Sequence, residues 1–298
     1  MGILVRKLHP LFAAEVLGVD LTRPLDDATF AELRDAFFDH AVVLLRDQGL
    51  TDAQQLAFSE RFGALETSIS TYKSDRRRRL ARPELSDISN LDEHGNLLDA
   101  ADERLHAGRA NQMWHTDSSY KPVPAMASLL HAREVPPAGG ETEWADLRAA
   151  WDALPAARQR DLEGLIAEHS IVYSRGLIGY AFSDEERGKL PAVPQVLVRT
   201  HPATGRKGLY LGAHASHIVG CPVEDGRALL RQLLEHATQP RFVFQHRWRV
   251  GDLVMWDNRS VLHRGRAWDA RAHRRVLHRT TVAGHGPTVV EGRIQVGA

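Results

Sequence analysis

One cysteine, Cys221, stands among 298 residues, so no internal disulfide can form and a reducing cytoplasm is the expected setting. An excess of charge of either sign is also missing. The 38 Lys and Arg offset 38 Asp and Glu, which leaves no bulk attraction to nucleic acid or an anionic membrane. No apolar run approaches the ~18 residues that a bilayer span needs. The opening MGILVRKLHPLF is too short in apolar residues for a signal peptide. Internal repeats and low-complexity linkers are absent as well. What is present is 43% hydrophobic and 26% charged, enough for a full core, and we expect one domain over 1–298.

Helical and extended patterns alternate at first. After Asp26 and Asp27, Phe30, Leu33, Phe37 and Phe38 recur at helical spacing and run into the short apolar strand AVVLL. LTDAQQLAFSERFG carries a capping box at Thr51 and Gln54, with Gly63 as a stop. The stretch 70–110 is polar and irregular and reads as a lid over an active site. Its Arg76 to Arg79 form one short basic run, for which a solvated loop is the simpler account. Beyond Pro124 the chain becomes rich in strands, HSIVYS included, with a hairpin between VLVRT and GLYLG and an amphipathic helix in VEDGRALLRQLLEHAT. Many short strands with a few inserted helices predict a mostly β fold with a double-stranded β-helix, or jelly-roll, core.

NQMWHTDSSY holds His115 and Asp117 two residues apart, which on a strand puts both on one face. A second imidazole would complete a two-His, one-carboxylate iron site with open positions. Among 16 histidines, His263 is best specified, because strand, tight turn DNRS and strand would return it to the core. Zinc would accept the same donors, and His115 with Asp117 could equally be a metal-free hydrogen-bonded pair. Arg275 and Arg279 share a face if extended. Two guanidiniums inside a barrel need anions, and Arg is the side chain that grips carboxylates bidentately. Thr142, in GGETEW, could add a hydroxyl.

The ordered set WHTD, GGET, WDNRSVLHR and RRVLHR resembles the taurine and 2,4-dichlorophenoxyacetate dioxygenase family, over nearly the whole chain. VPPAGGETEWADLRAAWDALP and VRTHPATGRKGLYLGAHASH are similar to the branch that cleaves 2,4-dichlorophenoxyacetate. The resemblance implies Fe(II) held by His115, Asp117 and His263, with 2-oxoglutarate as cosubstrate and O2 as oxidant. It implies Thr142 and Arg275 at the distal carboxylate of 2-oxoglutarate. Arg279 would meet the cosubstrate or the substrate anion. Lys73, Asn111, His214 and His217 would lie on the substrate side, with His201 as a further candidate. Arg274 contends with Arg275, because the turn before them is one residue longer than the family pattern.

The reaction implied is hydroxylation, since Asp117 fills the position that related halogenating enzymes give to a small residue. With an aryloxyacetate the product would be a hemiacetal that splits to a phenol and glyoxylate, alongside succinate and CO2. A sulfonate or alkyl sulfate substrate, a nucleic-acid demethylase and a non-catalytic anion-binding barrel are the alternatives. The partners expected are a small anion and further copies of the chain in a homo-oligomer, dimer or higher, with neither nucleic acid nor membrane.

Overall fold

The computed structural model describes residues 2–67, 78–99 and 102–295. Lys73, Arg76, Arg77 and, of the expected lid, residues 70–77, 100 and 101 lie outside the described residues.

The apolar run at 41–45 is buried throughout and forms the strand Val42–Leu45. This strand belongs to a seven-stranded sheet. In spatial order the strands are Leu4–Lys7, Ala14–Leu17, Val42–Leu45, Leu253–Asp257, Ala125–Glu134, Val276–Ala283 and Ser86–Ser89. Neighbours are antiparallel except Ala14–Leu17 beside Val42–Leu45. Val43 and Leu45 face the helices Asp27–His40 and Asp52–Glu60 through Phe30, Leu33, Phe37 and Phe58. Val42 and Leu44 face the other way, onto Trp144, Trp256 and Val261. Burial on both sides explains why the run lacks polar alternation.

Both helices start as their sequences dictate. Asp26 accepts from Thr29 N at 2.9 Å, and Thr51 and Gln54 form the reciprocal capping box. A three-stranded sheet of Val243–His246, Thr142–Asp146 and Val261–Gly265 packs on the large one. Its anchor is Trp144, fully buried, with its ring centroid 5.8 Å from that of Trp256. Removing such a ring typically costs about 3–5 kcal/mol. The expected hairpin forms between Val198–Thr200 and Lys207–Leu209, and the helix Val223–Ala237 forms as well. The chain is therefore mostly β with inserted helices. Among the described residues no helix is long and apolar enough to cross a membrane.

Three local expectations are corrected. HSIVYS is not a strand over its length: the strand Ile166–His169 ends at His169, and Ser170 caps the helix Ile171–Gly176 by accepting from Tyr173 N at 3.1 Å. A local side-chain cap outweighs the β-branched residues that follow. The WHTD segment is not a regular strand either. His115 forms an isolated antiparallel bridge to His263, and the chain then turns, with Ser118 at φ 57°. Arg275 lies just before the strand Val276–Ala283, whose register shifts at Val276 and Leu277, so simple alternation does not link it to Arg279.

Candidate metal centre and anion cavity

Backbone pairing brings the two imidazoles together. His115 N donates to His263 O at 3.0 Å and His263 N donates to His115 O at 2.8 Å. Their ring centroids lie 4.1 Å apart, although the residues are far apart in sequence. Asp117 is held from behind by Asn258, which follows the strand Leu253–Asp257. Asn258 Oδ1 accepts from Asp117 N at 3.1 Å and from Trp256 Nε1 at 3.0 Å. Asn258 Nδ2 donates to Ser128 Oγ at 3.0 Å, and Ser128 Oγ donates to Asp117 Oδ2 at 2.7 Å. The carboxylate is thus aimed by two residues that neither spacing nor motif had nominated. The signal for one of them was visible: an Asn directly after the apolar strand in VMWDNRS.

One donor atom from each of His115, Asp117 and His263 lies within 4.8 Å of the others, and all three residues are buried. His263 Nε2 is 3.7 Å from Asp117 Oδ2, and His115 Nε2 is 4.0 Å from Asp117 Oδ1. Both spacings are below twice a metal–ligand bond of ~2.1 Å, so an ion can bridge the carboxylate to either imidazole. Protonation suits ligation too. The contact of His115 Nδ1 with Met113 O at 2.8 Å puts the proton there and the lone pair on Nε2. Burial pushes both imidazoles below their usual pKa, so they are neutral at pH 7. Burial alone would raise Asp117, but the Arg279 guanidinium beside it, with the hydrogen bond from Ser128, holds it well below the carboxylate range. The residues present therefore fit a divalent metal.

The centre opens on a cavity of about 1250 Å³. Thr142, Arg275, Arg279 and Asn111 line it. Arg275 is 6% exposed and has no carboxylate at ion-pair distance among the described residues. Its Nε donates to Gly140 O at 3.1 Å, its guanidinium stands 5.1 Å from the Trp268 ring, and its backbone N donates to Asn90 Oδ1 at 2.9 Å. Burial lowers it to about 10, so it stays charged at neutral pH. A Cβ on Gly140, at φ 72°, would come within 3.0 Å of Arg275 Nε, which explains the second glycine of AGGET. Arg274 instead faces outward, pairing with Glu134 at 3.1 Å and donating to Gly95 O. Arg279 Nη1 donates to Asp117 Oδ1 at 2.7 Å.

Other candidates are placed elsewhere. His214 contacts Ser174 Oγ at 2.9 Å and packs 6.2 Å from the His115 ring. His217 lies on the strand Ala215–Ile218, 3.7 Å from Glu168. His201 pairs with Asp257 at 2.9 Å, and Asp257 is also gripped by Arg259. None of the three histidines is among the described residues that line the cavity. Arg79 is paired with Asp87 at 2.6 Å, and Arg78 donates to Arg82 O and Leu85 O. These two arginines serve their own chain.

Two imidazoles, one carboxylate and an unpaired guanidinium around an open cavity are the side-chain set of a non-haem iron oxygenase that takes an acidic cosubstrate. Comparison with known sequences agrees: residues 4–281 match the taurine catabolism dioxygenase TauD, TfdA family, and the chain belongs to that family. It is 47% identical, over 95% of its length and 98% of the relative's, to the alpha-ketoglutarate-dependent 2,4-dichlorophenoxyacetate dioxygenase of Cupriavidus pinatubonensis. It is 36% identical, over 94% of each chain, to the (S)-phenoxypropionate/alpha-ketoglutarate-dioxygenase of Sphingobium herbicidovorans. The crystal structure of AAD-2 in complex with Mn(II) and N-oxalylglycine superposes with a TM-score of 0.89 at 44% identity, covering 98% of this chain and all of that one.

Proposed function

We propose that this protein is an Fe(II)- and 2-oxoglutarate-dependent dioxygenase that hydroxylates an aryloxyacetate of the 2,4-dichlorophenoxyacetate kind. The observation that carries the reading is a buried His–Asp–His cluster opening on the same cavity as an unpaired Arg275. The seven-stranded sheet and the three-stranded sheet packed on it are read as the halves of a double-stranded β-helix, in a single domain. His115 and His263 would offer neutral imidazoles and Asp117 a carboxylate to the ferrous ion. Bound iron, with 2-oxoglutarate and O2, supplies the oxidising power for C–H hydroxylation. Arg275 would receive the distal carboxylate of 2-oxoglutarate, whose Kd then depends on a desolvated charge pair. Trp248 Nε1 donates to Thr142 Oγ1 at 3.0 Å, which leaves the Thr142 hydroxyl hydrogen free to point at the same carboxylate. Arg279 keeps Asp117 ionised until a metal replaces that role. Hydroxylation of the methylene beside the ether oxygen gives a hemiacetal, which releases a phenol and glyoxylate, while 2-oxoglutarate becomes succinate and CO2.

The test is to add Fe(II) and 2-oxoglutarate without oxygen and then a panel of aryloxy acids, sulfonates and sulfate esters. The visible charge-transfer band should form and shift with aryloxyacetates, and the same acids should drive succinate release in air. A band that never forms refutes the reaction class. A band shifted only by sulfonates or sulfate esters refutes the substrate.

A further inference from the structure

One cationic side chain in the cavity is used by none of these roles. Arg175 sits on the helix Ile171–Gly176, the element that the sequence had read as strand. It lines the cavity together with His115, His263 and Arg279. The side chain is half-buried, yet it makes no hydrogen bond or ion pair with any described residue. Its charge acts on Tyr120, Arg279 and Asp117, and on His115 in turn. The carboxylate on which its charge acts is already committed, because Asp117 accepts from Arg279. Asp87 and Asp102, on the cavity wall, are paired with Arg79 and Arg104.

Charge balance then points to a missing anion. A divalent metal and a dianionic cosubstrate cancel, and so do Asp117 and Arg279. Among the side chains around the metal-binding residues, Arg275 and Arg175 remain as positive charge with no ion pair to a described carboxylate, which an uncharged substrate would leave uncompensated. The segment that carries Arg175 also supplies an apolar wall. Ile171, Tyr180, Phe182 and Leu190 line the same cavity, and the Tyr180 and Phe182 rings meet edge to face at 5.0 Å. A guanidinium beside an aromatic wall matches a ligand with an oxyanion head and an aryl body.

We infer that Arg175 binds the anionic headgroup of the substrate and sets the preference for acids over neutral analogues. This rests on the dioxygenase reading above and deepens it, by naming the group that selects the substrate class.

The experiment measures binding rather than turnover. Wild type, Arg175→Gln and Arg175→Lys, each loaded with Mn(II) and N-oxalylglycine, are titrated with 2,4-dichlorophenoxyacetate and with its neutral amide. Arg175→Gln should weaken the acid by about 10- to 100-fold, the usual scale for a charged hydrogen bond, and leave the amide where it was. Arg175→Lys should restore part of the loss. Should Arg175→Gln not fold, a smaller fall in the acid-to-amide preference of Arg175→Lys carries the same meaning. An Arg175→Gln protein that binds the acid as wild type does, or that loses acid and amide equally, overturns the inference while leaving the dioxygenase reading intact. A wild-type protein that binds none of the acids refutes that reading, and the inference with it.

Discussion

Replacing Arg275 by Met separates the cost of a buried charge from its use. Burial lowers this guanidinium from its ordinary range to about 10. One pKa unit is ~1.4 kcal/mol, so keeping the charge inside costs the ligand-free protein roughly 3 kcal/mol. The sign is fixed: folded-state pKa is depressed for a base, so the cost is fully present below about pH 10. Met fills a similar volume and removes the charge, at the loss of the 3.1 Å bond to Gly140 O, worth about 1 kcal/mol. Arg275→Met should therefore leave the unfolding midpoint of the ligand-free protein unchanged or raised. The same variant should lose the desolvated contact with the cosubstrate, roughly 2–5 kcal/mol, or about 30-fold or more in Kd. Calorimetric titration of N-oxalylglycine with Mn(II), beside thermal unfolding without ligand, reads both quantities. Arg274→Met is the control, because its exposed pair with Glu134 is worth at most about 1 kcal/mol. Unchanged N-oxalylglycine affinity in Arg275→Met would move the anchor elsewhere. A stability that falls by several kcal/mol would mean that the charge already has a partner.

Further outcomes follow from the same geometry. Single His115→Ala, Asp117→Ala and His263→Ala variants should each lose bound iron and 2-oxoglutarate turnover while retaining their circular dichroism; normal metal content in any of them removes that residue from the centre. Asn258→Ala breaks the frame behind Asp117 and should cost about 2–3 kcal/mol of stability and ~10- to 100-fold in metal affinity; equal metal affinity by competition against a chelator would refute its positioning role. His169 is fully buried with both ring nitrogens unpartnered, and burial lowers it to about 3. A histidine with a depressed folded-state pKa contributes stability that is complete above its unfolded value near 6.5 and is lost as pH falls toward 3. His169→Phe should flatten the fall of stability over that window by an amount on the order of 5 kcal/mol, and an unaltered pH slope would show that His169 does not titrate there.

Much of the centre was legible because it is written in covalent order. His115 and Asp117 are two residues apart, Thr142 comes shortly after two glycines with positive φ, and His263 lies in the strand that follows a tight turn. The boundaries of the first two helices were equally local, since Asp26, Thr51 and Gln54 act on backbone within one turn. Strand parity is not what brings His115 and Asp117 together: what aligns the imidazoles is a single bridge, and what aims the carboxylate is Asn258 and Ser128.

By itself, then, the sequence determined the chemistry on offer, with two imidazoles, a carboxylate and basic residues in family order, because side-chain type and short-range spacing are properties of the chain. Tertiary structure decided which cations are spent and which are free. Arg79 and Arg274 are neutralised by partners, whereas Arg275 and Arg175 form no ion pair with a carboxylate of the described residues. It also removed His201, His214 and His217 from the cavity wall. The physical reason is that a charge is valued by its surroundings, through burial and opposite charges within a few ångströms, and those neighbours arrive from distant parts of the chain.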